Sequence, residues 1–137
     1  MTINLYTIEQ AMSIAGSSYL LKFTNNEGLN STEKEPFLSS IGLIGEPNMS
    51  YSVEGFKALL EDFGPLWVTT DENPGTGFSI HARIVTRLQG DGSPENTFLQ
   101  INDPAGGVEV IEAYKDFIQK FEDVAGSGFQ GIQVVHY

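Results

Sequence analysis

The composition of this 137-residue chain excludes several classes of protein. Eighteen acidic residues against seven basic ones give a net charge of −11, which repels phosphate backbones and anionic membrane surfaces, so we expect neither a nucleic-acid nor a membrane partner. A cysteine count of zero excludes disulfides, thiolate zinc sites and a cysteine nucleophile within these residues.

The first predicted elements are helices. Thr7 followed by Gln10 is a capping box, which predicts a helix that begins there and stops at Gly16. The apolar run in residues 17–23 predicts a second short helix before the turn-rich residues 25–30.

A second capping-box pattern is Thr32 followed by Glu35, and it predicts a helix that ends near Gly42. Pro36 fits such a helix only in the first turn. Ser52 predicts the start of another helix, which Gly64 ends. Its apolar face would contain Val53, Phe56, Leu59, Leu60 and Phe63.

The periodicity then changes from helical to strand-like. Residues 66–70 are rich in β-formers, and residues 78–86 alternate, with Phe78, Ile80, Ala82 and Ile84 on one face. The turn cluster at 90–96 predicts a hairpin between this strand and residues 97–102.

The C-terminal part predicts a short extended segment at 108–111, a last helix ended by residues 126–128, and a closing strand over 129–137. The apolar stripe of that helix contains Tyr114, Phe117, Ile118, Phe121 and Val124. Helices followed by an antiparallel sheet indicate an α+β fold in a single domain, 1–137, with a helical part at 1–64 and a sheet with one helix at 65–137.

Four blocks in this order resemble a known family. They are YSVEGFKALLEDFGPLWV at 51–68, HARIVT at 81–86 with GDG at 90–92, INDP at 101–104, and YKDFIQKF at 114–121. The chain resembles, over residues 7–137, the bacterial papain-like cysteine peptidases, a group that includes bacteriocin-leader peptidases and plant-pathogen effector proteases. The resemblance implies a papain-like fold.

The resemblance also implies roles for three residues. His81 matches the general base of the family, and Asp103, with Asn102 beside it, matches the residue that orients the imidazole. Without the resemblance, His81 would be an ordinary histidine of a half-buried strand, and Asp103 before Pro104 would form an Asx-type turn.

The family's cysteine helix and its preceding glutamine have no counterpart, because Thr7 already corresponds to the helices that follow them. We therefore expect a chain that is inactive by itself, with an apolar groove where that central helix would lie. A Cys-bearing segment of another chain, or a second copy of this chain, would fill the groove. A longer peptidase of which these residues are a fragment is a further reading.

The alternative function is a non-catalytic pseudopeptidase that binds a peptide or protein as a toxin, effector or secretion component. We expect no cofactor and no metal, because His81 and His136 are the only histidines and the acidic residues lack ligand spacing. His136 is predicted to be an exposed strand residue. The start of the chain has no export-signal pattern, which leaves localisation open between the cytoplasm and export without a signal peptide.

Overall fold

The computed structural model describes residues 7–73, 79–127 and 131–137 and has the predicted α+β composition. The chain divides into two compact units, Met1–Ile44 and Gly45–Tyr137. The first contains helices α1 (Ile8–Ala15), α2 (Ser17–Thr24) and α3 (Ser31–Ser40). The second contains almost the whole sheet and two further helices, so it is the unit that holds the predicted His/Asp pair.

The capping box of α1 is present as predicted. The Thr7 hydroxyl accepts a hydrogen bond from the Gln10 backbone amide at 3.1 Å, and the Gln10 side chain accepts one from the Thr7 amide at 2.9 Å. Gly16, with φ of 142°, ends the helix, and α2 begins directly after it. Both helices therefore have the bounds that their local patterns indicate.

The predicted start of α3 was wrong by two residues. Asn30 is the N-cap, because its side-chain oxygen accepts from the backbone amides of Thr32 and Glu33 and its amide group contacts the Glu33 carboxylate. Asn satisfies the first amides of a helix as well as Thr does. This earlier start places Pro36 beyond the first turn, inside the helix, where its missing N–H removes one helical hydrogen bond.

Within the described residues the sheet has six strands in the order β1-β6-β2-β3-β4-β5, and the pairs β2/β3, β3/β4, β4/β5 and β2/β6 are antiparallel. The strands are β1 (Ile44–Gly45), β2 (Leu66–Asp71), β3 (Ile80–Gly90), β4 (Thr97–Asp103), β5 (Val108–Ala113) and β6 (Val134–His136). The predicted hairpin is β3/β4. The predicted closing strand is shorter than 129–137, and residues 128–130 lie outside the described residues.

In the part of the chain that the structure describes, two helices cover one face of this sheet. Helix α4 (Val53–Phe63) begins at Ser52, whose hydroxyl accepts from the Gly55 amide at 3.1 Å, and α5 (Tyr114–Gly126) follows β5 directly. Phe56 is fully buried and packs edge-on against other aromatic rings. The core joins both helices to the sheet and contains Val53, Phe56, Leu66, Val68, Val85, Leu99, Ile101, Tyr114, Phe117, Phe121 and Val134.

The core face of β3 is not the one that its apolar residues indicate. Ile80 is 42% exposed, Ala82 and Ile84 are only partly buried, and Phe78 lies outside the described residues. The buried positions are Arg83 and Val85, on the same face as His81. The core therefore lies on the opposite face of β3 from the one predicted. Ion pairs to Arg83 allow this charged residue to be buried on the face that the helices cover.

Candidate functional site

The site is built on the ends of two neighbouring strands. His81 lies near the start of β3 and Asp103 ends β4, and the His81 Nε2 atom is 2.6 Å from Asp103 Oδ1. The register pairs Ile84 with Asn102, so its continuation places Asp103 diagonally across from His81. Diagonal neighbours in an antiparallel pair are about 7–8 Å apart, which long side chains bridge.

The end of β4 holds the Asp103 carboxylate in place. Pro104 has no N–H to continue the ladder, and the Ala105 amide donates to Asp103 Oδ1 at 2.9 Å. This contact is the Asx-type turn that the Asp-Pro pair indicates. The turn and the histidine contact use the same oxygen, so the local turn orients the carboxylate toward the imidazole.

The hydrogen bond from His81 and the one from the Ala105 amide hold the pKa of the Asp103 carboxyl below its ordinary value, and the charge of Arg83 adds to this effect. Asp103 is therefore ionised across the neutral pH range. An ionised carboxylate is an acceptor only, so the shared proton of this contact belongs to His81 Nε2.

The two ring nitrogens of His81 thus have different roles. Nε2 donates to Asp103, while Nδ1 has no hydrogen-bond partner among the residues that the structure describes. With Nε2 protonated, a neutral imidazole presents the Nδ1 lone pair. The His81 side chain is 29% exposed.

Asn102 does not join this pair. It precedes Asp103 on the same strand, so its side chain is on the opposite face of the sheet, and it is exposed. The structure therefore brings together two of the three predicted site residues.

A second histidine also contacts a carboxylate, but in a different environment. His136 Nε2 is 2.6 Å from Glu46 Oε1, His136 Nδ1 is 2.9 Å from the Tyr137 carbonyl oxygen, and the ring stacks on Phe63. The side chain is 1% exposed, so the prediction of an exposed strand residue was wrong. Both ring nitrogens of His136 therefore contact protein oxygens in a buried setting, unlike Nδ1 of His81.

A cluster of four charged side chains lies next to His81 and Asp103. Arg83, 3% exposed, has its Nε 3.0 Å from Glu72 and its Nη2 2.9 Å from Glu112. Lys120 of α5 bridges the same two carboxylates, at 3.1 Å to Glu72 and 2.6 Å to Glu112. The Arg83 Nε contact is an ion pair without hydrogen-bond geometry, since that N–H has no hydrogen-bond acceptor. We call these four residues the charge cluster.

Charges in the cluster stabilise each other against burial. Burial would raise the pKa of Glu72, yet hydrogen bonds from Thr70 and Lys120 and the Arg83 charge hold that pKa below its ordinary value. Burial would lower the pKa of Lys120, but its bonds to Glu112 and Glu72 raise it. The cluster was not predicted from the sequence. The signal that could have indicated it is Arg83 itself, an arginine two residues after His81 and on the same face of an alternating strand.

A protein-family model matches most of the chain. Residues 3–122 match the model of the papain-like cysteine protease AvrRpt2 family. The chain belongs to this family. The match covers both His81 and Asp103 and confirms, at the level of the family, the resemblance drawn from the sequence. Comparisons with curated proteins and with solved structures gave no match.

Two further observations concern the described parts of the chain. Over residues 7–73, 79–127 and 131–137, the helices are too short or too polar to cross a membrane. Within the same ranges, no three histidine, aspartate or glutamate side chains are grouped so that they could hold a metal ion.

Proposed function

We propose that His81 and Asp103 are the general base and the orienting acid of a thiol peptidase site whose cysteine is supplied by a segment outside these 137 residues. The observation that carries the proposal is the 2.6 Å contact between His81 Nε2 and Asp103 Oδ1 in a chain of the AvrRpt2 family. As the sequence contains no cysteine, these residues by themselves form an incomplete site.

The chemistry follows from the free nitrogen. A thiol next to His81 transfers its proton to Nδ1, and the thiolate attacks the carbonyl carbon of a peptide bond. As the C–N bond breaks, the imidazolium returns the proton to the departing amine and an acyl-enzyme remains. Water then attacks the acyl group, Nδ1 takes the proton of the water, and the proton returns to the sulfur. Asp103 keeps the proton on Nε2 throughout and stabilises the imidazolium.

The first experiment identifies the source of the cysteine. Sequencing the coding DNA upstream of Met1, together with mass spectrometry of proteins that copurify with the chain, would reveal a Cys-bearing segment in the same polypeptide or in a separate chain. The completed protein is then treated with a thiol-directed epoxysuccinyl inactivator, and the rate of labelling is measured by intact mass.

We expect His81→Ala to slow labelling by about 100-fold or more, since general-base assistance contributes about 10² to 10⁴ in rate. Asp103→Ala should also slow it. Asn102→Ala is the matched control, because Asn102 neighbours Asp103 on the same strand but lies on the opposite face. Labelling of the His81→Ala protein at the wild-type rate would reject the assignment.

The second candidate is a non-catalytic module that binds a peptide or protein, and the absence of cysteine from the 137 residues favours it. In this case no Cys-bearing segment is found and no labelling develops. Affinity for a captured peptide or protein, measured by calorimetry, should then be nearly the same for the wild type and for His81→Ala.

A further inference from the structure

We propose that Arg83 is a positioning residue for the His81–Asp103 pair and that Glu72, Glu112 and Lys120 balance its charge, so that the cluster as a whole adds no net charge beside the pair. This inference rests on the proposed function, because it assigns a role at the same site. Its test uses only the 137-residue chain and a property of the His81 ring.

The placement of Arg83 supports the proposal. Arg83 is two residues after His81 on β3, so both side chains lie on the same face. Continuation of the β3/β4 register places Arg83 directly opposite Asp103. Arg83 is therefore the along-strand neighbour of the histidine and the cross-strand neighbour of the carboxylate. A shift of the Arg83 backbone would therefore change the positions of both His81 and Asp103.

The other three members of the charge cluster lie on the elements around the pair. Glu72 directly follows β2, Glu112 is on β5 and Lys120 is on α5. Thr70, which pairs with His81 across β2 and β3, donates from its hydroxyl to Glu72 at 2.8 Å. The cluster thus connects the β3/β4 hairpin to β2 and β5, the strands on either side of it, and to the covering helix α5. These connections hold the backbone of β3, from which the His81 side chain projects.

The sum of charges explains why four residues are needed. Two cations and two carboxylates give zero net charge, and each cation contacts both carboxylates. Buried ion pairs contribute little net stability, because desolvation offsets their attraction. An unbalanced charge at this depth would act strongly on its neighbours, since solvent screens it poorly. A balanced cluster can hold the strands without placing a net charge beside His81.

The charged groups on or against the face of the sheet that carries His81 come from the surrounding strands and from α5. They are Asp103 from β4, Arg83 from its own strand, Glu72 after β2, Glu112 from β5 and Lys120 from α5. Asp71 lies on the opposite face of the sheet, because Thr70 is the residue of β2 that shares the face of His81.

The test compares single and paired charge removals. Lys120→Met leaves the cluster with one excess negative charge and Glu72→Gln leaves it with one excess positive charge, whereas the double variant restores the balance. The probe is the pH midpoint of the His81 Cε1–H signal in NMR spectra. By Coulomb's law, one charge at a separation on the order of 10 Å and an effective dielectric constant between ~20 and ~80 shifts a midpoint by about 0.3 to 1 pH unit.

We expect the midpoint to rise in Lys120→Met, to fall in Glu72→Gln, and to return to the wild-type value in the double variant. Lys57→Met is the matched control, because Lys57 forms an exposed pair with Glu61 outside the cluster. Trp67 fluorescence confirms folding, and Glu112→Gln replaces Glu72→Gln if that variant is unfolded.

A structural role without charge balance would move the midpoint in the same direction in both single variants, or not at all, and either result would overturn the inference. Its failure is distinguishable from failure of the proposed function. The midpoint is measured without a cysteine, whereas labelling by an inactivator depends on one.

Discussion

Removal of the Arg83 side chain should destabilise the second compact unit, Gly45–Tyr137, far more than removal of an exposed cation. Arg83 is 3% exposed, and Arg83→Met would leave Glu72 and Glu112 with Lys120 as their only cluster cation. Breaking a buried pair by deleting one partner costs about 3–5 kcal/mol, because the remaining charge is uncompensated. This is a large fraction of a total stability of about 5–15 kcal/mol.

The assay is urea unfolding followed by the fluorescence of Trp67, which is the single tryptophan of the sequence and lies on β2. With a slope of about 2 kcal/mol per molar urea, Arg83→Met should lower the midpoint by about 1.5–2.5 M. Lys57→Met removes a pair whose side chains are 59% and 65% exposed, so it should cost at most about 0.5 kcal/mol.

A charge-balanced variant sharpens this prediction. Arg83→Met combined with Glu112→Met removes one cation and one carboxylate and leaves the Glu72–Lys120 pair intact. The double variant should recover at least half of the lost stability, because it leaves no net charge in the cluster. Equal midpoint shifts for Arg83→Met and Lys57→Met, or a double variant less stable than the single one, would refute the role of charge balance.

Two further predictions concern pH and the hairpin. The pKa of the Asp103 carboxyl is lower in the folded protein than its ordinary value of 3.8. The stabilisation from Asp103 is therefore present above pH 3.8 and is lost as the pH falls through the lower pKa of the folded state. The difference in unfolding free energy between the wild type and Asp103→Ala, measured in urea, should shrink from pH 6 toward pH 3, and a difference that widens would contradict this. Gly90 has φ of 154°, and a Cβ atom at this position would lie 2.2 Å from the Asn96 carbonyl oxygen. Gly90→Ala should therefore lower the melting temperature clearly more than Gly92→Ala, because a Cβ atom at position 92 meets nothing within 4 Å. Equal losses in the two variants would contradict this account.

The order of elements follows from local patterns. Thr7 with Gln10 and Ser52 cap helices at the predicted positions, and the apolar stripe of α5 is the face that it buries. Helix caps and helical periodicity depend on residues within three or four positions, so the sequence by itself contains this information. The start of α3 was wrong because Asn30 and Thr32 are both adequate caps and only the folded backbone selects one.

The face of a strand is decided at longer range. On β3 the apolar alternation favoured Ile80, Ala82 and Ile84, whereas the structure buries Arg83. Burial of a charge is permitted only where partners from other elements compensate it. Glu112 is 29 residues away in the chain and Lys120 is farther, so no local pattern reveals that they meet Arg83.

The same distinction between local and long-range information applies to the chemical roles of the two histidines. The roles of base and orienting acid for His81 and Asp103 came from the family resemblance, since their residue types by themselves indicated only a strand histidine and an Asx-type turn. Tertiary structure decided which ring nitrogen Asp103 engages, that Asn102 faces away, and that His136 is buried with both nitrogens bonded. These properties depend on strand register and on contacts such as the one between His136 and Glu46, 90 residues apart, which form only when the chain folds.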